Sequence, residues 1–115
     1  MTEYFTEQDW KLFRRKLPGW QEAFMDKLNH EYIALLEDES KEASDKFWAL
    51  WERIKKDKRL TGVVVEMRRS EMVNNIMNLI YEGAITEDDL ADFSDTLRET
   101  IHFRLETDKH FYSQE

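Results

Sequence analysis

Titratable side chains near the end of the sequence are the first candidates for chemistry. Glu99 and His102 have the Glu-x-x-His spacing, which places a carboxylate and an imidazole on one face of a helix. Di-iron sites in helical bundles combine two such pairs with two further glutamates, and this chain has no second pair. It also has no cysteine, no Gly-x-Ser-x-Gly motif and no glycine-rich phosphate loop. We therefore predict no metal site, no cofactor and no catalytic residues, and a protein that is not an enzyme.

The clearest charge pattern is acidic. Four acids with spacings of 4, 3 and 4 residues would form one ridge on a helix: Asp88, Asp92, Asp95 and Glu99. Like charges one turn apart destabilise a helix by about 0.2–0.5 kcal/mol each, and no lysine lies between them. The ridge is interpreted either as a solubilising face or as a surface for a basic partner, such as a protein that otherwise binds nucleic acid.

A basic segment comes earlier in the chain and consists of Arg53, Lys55, Lys56, Lys58 and Arg59. Cations in the last turn of a helix interact favourably with the helix dipole, so the segment is interpreted first as a helix end. The alternative is a contact for phosphate or for an acidic partner. Together with the acidic ridge it makes the molecule bipolar, which permits head-to-tail homo-oligomers.

Arg69 lies in phase with the apolar residues of a predicted helix over 63–82. A guanidinium in that position needs a partner, because an unpaired buried charge is costly, and Glu31 is the partner that we expect. The flanks of the same helix carry Asn74 and Asn78, which predict hydrogen bonds across the bundle or a face that binds another protein. An alternative role for Arg69 is to bind a small ligand or substrate, assisted by His30 or His110.

Five predicted helices position these residues. Apolar periodicity and capping signals place four of them at about 7–16, 18–36, 63–82 and 87–105, and a third helix, capped by Ser40 or Ser44, reaches about Lys58. Thr6 with Asp9 is a capping-box signal, Pro18 ends the first helix, and Gly83 closes the fourth at a left-handed C-cap. The residues from 106 to 115 are predicted to form a frayed tail.

The third helix has the most aromatic stripe in the chain. Trp48 and Trp51 are three residues apart and share a face with Phe47 and Ile54. This stripe predicts that both tryptophans lie in the core. An exposed Trp48 would instead indicate a binding surface, since aromatic residues dominate the energetics of interfaces.

Composition limits the fold class. A chain of 115 residues is one domain long, and 41% hydrophobic residues are enough for one core. Three glycines and one proline leave few turns for a β-sandwich or barrel. The prediction is a single helical domain, all-α, folded as a compact four- or five-helix bundle.

Several segments resemble a group of small bacterial all-helical proteins of unknown function that sometimes carry the label "multidrug transporter". The segments are DWKLFRRKLPGWQEAF, KFWALWERIK, MRRSEM and EGAITEDDL, so the resemblance covers about residues 4 to 103. It implies a helical fold and assigns no mechanism or functional residue. The label implies transport across a membrane, whereas no segment approaches the ~18 apolar residues that a membrane span needs.

Charge and cysteine content restrict the partners. A net charge of −8 argues against direct binding to nucleic acid, and the chain is not expected to enter a membrane. The absence of cysteine and of a signal-peptide pattern favours the cytoplasm. The leading hypothesis is a non-enzymatic cytoplasmic module that binds another protein through a charged or amide-rich helical face, with an inhibitor that imitates nucleic acid as one subclass. The alternative is a small ligand-binding or hydrolytic bundle organised around Arg69.

Overall fold

The computed structural model describes residues 4–113, with side chains as far as His110. Its four α-helices are α1 (Glu7–Leu36), α2 (Ala43–Asp57), α3 (Met72–Tyr81) and α4 (Asp95–Ser113). Short 3-10 helices, Arg69–Glu71 and Glu87–Leu90, come before α3 and α4. Residues 4–113 contain no strand. The prediction of an all-α helical bundle is confirmed.

Helix α1 begins as predicted but does not end at Pro18. The Asp9 carboxylate accepts a hydrogen bond from the Thr6 N–H at 2.9 Å, and the Asp9 N–H donates to the Thr6 hydroxyl at 3.1 Å. Pro18 lies inside a single helix of 30 residues, so the two predicted helices are one. The buried Leu17 and Phe24 are seven residues apart and keep one helical phase across Pro18. Packing along this stripe outweighs the hydrogen bond that proline removes.

One apolar cluster forms the core at one end of the molecule. It joins the first half of α1 to α3, to the segment that leads into α4 and to α4 itself. Four apolar residues within the last predicted helix, 87–105, are buried in this cluster: Leu90, Phe93, Leu97 and Ile101.

The chain between α2 and α3 is not helical where the sequence predicted a helix from residue 63. The Thr61 and Gly62 N–H groups each donate to the carboxylate of Glu82 at 2.9 Å, which folds this loop back onto the end of α3. The β-branched run Val63–Val65 favours helix poorly. The α-helix therefore begins only at Met72.

Glycine is required at two turns. A Cβ at Gly62 would lie 2.3 Å from the Phe24 ring, so a larger residue would displace either the loop or the ring. Gly83 has a φ of 80°, which confirms the left-handed position predicted after α3.

Helix α4 begins at Asp95 rather than at residue 87, because Ser94 interrupts the helix. The Ser94 N–H and hydroxyl donate to the Asp9 carboxylate at 2.8 and 2.6 Å, while the Leu97 N–H donates to the Ser94 hydroxyl at 3.2 Å. Burial alone would raise the pKa of Asp9, but the hydrogen bonds from Ser94 and Thr6 together hold it below its ordinary value. Asp9 thus joins the starts of α1 and α4.

The predicted frayed tail from Glu106 is helical as far as Ser113, and residues 114 and 115 lie outside the described part of the chain. The radius of gyration is 17.2 Å, against about 13 Å for a compact domain of this length. The molecule is elongated because the second half of α1 and α2 form an antiparallel hairpin beyond the core. Within the described residues, no helix combines the length and the apolarity that crossing a bilayer requires.

Candidate functional site

The face of α2 that packs against α1 is largely polar. All residues of α2 are exposed except four, which recur every three or four positions and form what we call the seam: Lys46, Leu50, Arg53 and Asp57. The residue Asp57 is 5% exposed, and its carboxylate accepts hydrogen bonds from the Tyr32 hydroxyl at 2.6 Å and from Arg53 Nε at 3.4 Å. Arg53 Nη2 also donates to Glu31 at 2.9 Å. Hydrogen bonds and ion pairs therefore fix how α2 lies on α1.

The electrostatics of the seam shift two pKa values. Burial, followed by the hydrogen bond to the Asp57 carboxylate, raises the pKa of Tyr32 to about 12. The hydrogen bond to Glu31 and the charge of Asp57 raise the pKa of Arg53 above its ordinary value. The Arg53 guanidinium also lies 5.5 Å from the centre of the Tyr32 ring. Both shifts favour the states in which Tyr32 donates a hydrogen bond to Asp57 and Arg53 carries its positive charge.

The predicted apolar core face of α2 is exposed, and the assignment of Trp48 and Trp51 to the core is wrong. Four side chains, which we call the aromatic face, have exposed fractions of 64%, 60%, 50% and 40%: Phe47, Trp48, Trp51 and Ile54. Three of them directly follow a seam residue, so they lie about 100° around the helix from the contact with α1. The Phe47 and Trp48 rings pack edge to face with centroids 5.0 Å apart. Nothing in the described part of the chain covers this face.

The aromatic face is large for a chain of this size. At about 200 Å² per large side chain, the exposed fractions correspond to roughly 450 Å² of apolar surface. The largest apolar patch of a typical monomer covers about 300–600 Å² and is often functional. Ile54 also lines a groove of about 300 Å³ between α1 and α2, together with Met25 and Asn29. The face and this groove form one continuous candidate contact surface.

The four acids of the predicted ridge do not form one row. Because the helix is interrupted at residues 91–94, Asp92 turns toward α1 and pairs with Lys16 at 3.3 Å. The other three line one shallow groove: Asp88, Asp95 and Glu99. Asp95 pairs with Arg98, which partly neutralises the groove.

Arg69 is not buried, and it does not pair with Glu31. It lies in the 3-10 helix before α3, with 37% of its side chain exposed. Its Nε donates to Glu7 at 3.1 Å, and its guanidinium lies 4.7 Å from the centre of the Phe5 ring. The prediction of a buried pair is wrong because it assumed that the helical phase of α3 extends back to residue 65. Glu31 pairs with Arg53 instead.

The amide-rich surface of α3 faces the side of α4. Asn74 and Asn78 are exposed and line a groove of about 630 Å³. The Asn74 amide donates to Glu71 at 3.1 Å, and its oxygen accepts a hydrogen bond from Arg104 at 3.2 Å. The groove is open, and a role for it as a partner surface stays a prediction.

No family model, no curated protein and no solved structure matches this chain. The likeness to small bacterial helical proteins therefore stays a prediction. Any functional proposal rests on the arrangement of the described residues alone.

The Glu-x-x-His pair does not form a metal centre in the structure. His102 Nδ1 lies 3.0 Å from Glu87. Among the described residues, no group of three or more His, Asp or Glu side chains is arranged to hold a metal ion. The predicted absence of a metal stays a prediction that elemental analysis can test.

Sequence reasoning missed the two buried carboxylates that organise the fold. The sequence assigns Asp9 only a capping role and assigns no role to Asp57, yet both residues are at most 5% exposed. The signal for Asp57 is its i,i+4 spacing from Arg53, which favours an ion pair on the side of α2 away from the aromatic stripe. That pairing could have indicated that the polar side is the packed one.

Proposed function

We propose that this protein is a non-enzymatic, cytoplasmic protein-interaction module whose contact surface is the aromatic face of α2. One observation carries the proposal: α2 packs on α1 through a polar seam and leaves two tryptophans and a phenylalanine exposed. Tryptophan and other aromatic residues are enriched among the side chains that contribute most to protein–protein binding. The absence of cysteine in a small domain supports a reducing compartment.

The directional contacts of the seam support this role. Glu31, Tyr32, Arg53 and Asp57 hold α2 at a fixed orientation. A pre-oriented helix loses little conformational entropy when a partner binds to it. The aromatic face is therefore presented on a regular helix rather than on a loop.

The other candidate surfaces have weaker support. An inhibitor that imitates nucleic acid needs regularly spaced negative charge, whereas Asp92 is separated from the other three acids and Asp95 is paired. The ligand-binding alternative relied on a buried Arg69, and the contacts of Arg69 with Glu7 and Phe5 account for its position by packing. We therefore favour the aromatic face.

The proposal can be tested by photo-crosslinking in cells. A photoreactive phenylalanine analogue at position 48 should form adducts with protein, whereas the same analogue at position 103 provides the matched control. Phe103 is 70% exposed and lies on α4, away from α2. Substituting Trp51→Ala beside the probe should strongly reduce the adducts at position 48, because it removes a central aromatic contact.

Equal labelling at positions 48 and 103, or no adduct at position 48, would contradict the proposal. Adducts that persist after Trp51→Ala would do the same. The mass of each adduct identifies what was captured.

A further inference from the structure

Charge is distributed unevenly along the hairpin that carries the aromatic face. The turn and the first residues of α2, residues 37–45, contain five acids and one lysine. At the other end of α2, residues 55–59 contain four basic residues and one acid. The aromatic face lies between these two segments. A partner that binds along α2 must therefore present basic groups to the acidic end, an apolar surface to the aromatic face and acidic groups to the basic end.

Most of the basic charge at this end is available to a partner. Lys55 pairs with Glu52 at 3.5 Å, and Asp57 is buried in the seam. Lys56, Lys58 and Arg59 are exposed and form no ion pair within the described residues. The opposite end has exposed acids, among them Glu42 and Asp45.

We propose that the occupant is a second copy of this chain, bound through an antiparallel pair of α2 helices related by a two-fold axis near Trp51. This inference rests on the proposed function, since both assign the contact to the same face. A two-fold contact requires a surface that is complementary to itself, so that residue i meets residue j and residue j meets residue i. The order of acidic, apolar and basic segments along α2 satisfies that condition when the helices run in opposite directions.

The antiparallel arrangement pairs specific charges. With the two Trp51 side chains near the axis, Asp45 of one copy lies near the Arg59 end of the other, and the contact occurs twice. The ring of Phe47 then faces the region of Lys55 of the second copy, which permits a cation–π contact, and the ring of Trp48 faces Ile54. Antiparallel helices also bring each positive dipole end next to a negative one.

The area agrees with a reversible dimer. The aromatic face offers roughly 450 Å², and the charged ends of a helix about 22 Å long add to it. Specific interfaces bury about 800 Å² per partner, and weak ones bury less. We therefore expect association in the micromolar range, with monomers predominating in dilute solution.

Other occupants fit less well. An anionic membrane surface would attract the residues 55–59 but would be repelled by the acids of residues 37–45 next to Trp48. A uniformly basic partner would be repelled by the opposite end. Only a bipolar partner satisfies both ends, and the chain itself is such a partner.

Sedimentation equilibrium of the purified full chain over a micromolar concentration series tests the proposal. The mass should rise with concentration from 14.0 kDa toward twice that value. Trp51→Ala should abolish the increase, whereas Phe103→Ala, which removes an exposed aromatic ring on α4, should leave it unchanged. Circular dichroism of each variant should remain helical, so that loss of the dimer is not confused with unfolding.

Charge reversal tests the antiparallel geometry itself. Asp45→Lys and Arg59→Glu should each weaken self-association about tenfold or more, because each places like charges opposite one another twice. An equimolar mixture of the two variants should dimerise again, since the mixed pair restores opposite charges at both contacts. The double variant Asp45→Lys/Arg59→Glu should also dimerise.

A chain that remains monomeric throughout the series would overturn the dimer, as would failure of the mixture to associate. The two experiments together distinguish failure of the dimer from failure of the proposed function. If the purified chain is monomeric but the probe at position 48 captures a different protein in cells, the interaction module stands and the dimer fails. If the probe captures nothing and the chain is monomeric, both fail.

Discussion

The first half of α1 packs against α3 and α4 with buried apolar side chains, whereas its second half packs against α2 through a seam of hydrogen bonds and ion pairs. Phe13 and Leu17 are at most 1% exposed in the first region. In the second region the contacts are Tyr32–Asp57 and Arg53–Glu31. One continuous helix thus takes part in two kinds of packing, and α2 keeps its apolar stripe exposed.

The difference shows what apolar periodicity does and does not determine. A stripe of apolar residues predicts a helix, because the residues recur with the helical period. Which face of that helix meets another element depends on the partner element. At the core end, three elements converge and bury every apolar stripe, while at the hairpin end α1 alone is available and directional polar contacts fix the orientation of α2.

The largest expected effect is the difference in free energy of unfolding between a variant in the apolar core and a variant on the aromatic face. Phe13→Ala should lower the free energy of unfolding by about 3–5 kcal/mol, because it leaves a cavity in the core. Trp48→Ala, which removes a larger but mostly exposed ring, should cost under about 1 kcal/mol. Denaturant unfolding of dilute protein measures both. Similar losses for the two variants would mean that the aromatic face is packed in solution and would remove the contrast.

The second effect concerns the carboxylate that joins α1 to α4. Asp9→Asn should cost on the order of 3 kcal/mol, because an amide cannot accept all three hydrogen bonds that the carboxylate receives from Thr6 and Ser94. The exposed Asp92→Asn makes the same change of charge and serves as the control, with little expected loss.

The same residue predicts a pH dependence. The folded pKa of Asp9 is below its ordinary value of about 4, so its stabilising contribution is complete above that pH and is lost as the pH falls through the lowered folded pKa. Unfolding free energies measured from neutral to acidic pH should therefore decline less steeply for Asp9→Asn than for the wild type. Parallel curves would argue against the linkage.

The smallest effect tests the seam. Tyr32→Phe should cost about 1–2 kcal/mol, because Asp57 loses one of its donors while keeping Arg53. The folded pKa of Tyr32 is about 12, so the contribution is complete below the ordinary value near 10 and is lost as the pH rises toward 12. An ultraviolet titration should show a late-ionising tyrosine whose signal is lost in Tyr32→Phe. If no late tyrosine exists in the wild type, the seam is not formed as described.

Much of the helical content could be predicted from the sequence, and the errors have a common origin. The start of α1, the end of α2 and the turn at Gly83 depend on capping, periodicity and backbone freedom, which are local properties. Besides the end of α4, which is Ser113 rather than residue 105, the wrong boundaries are at Pro18, residue 63 and residue 87. At each of these three positions a tertiary contact determines whether the helix continues or begins. The contacts are packing across Pro18, the hydrogen bonds to Glu82 for residue 63, and those to Asp9 for residue 87.

The candidate site was less accessible from the sequence than the fold. The sequence by itself determined that the chain is all-α, that α2 carries an aromatic stripe, and that acidic and basic segments flank that stripe, because composition, period and order are written in the chain. Only the tertiary structure decided that the stripe is exposed and that Arg69 lies at the surface next to Glu7. The physical reason is that hydrophobic burial is non-directional, so a stripe does not specify its partner, whereas the hydrogen bonds of Asp57 and Arg53 are directional and determine which side of α2 faces α1.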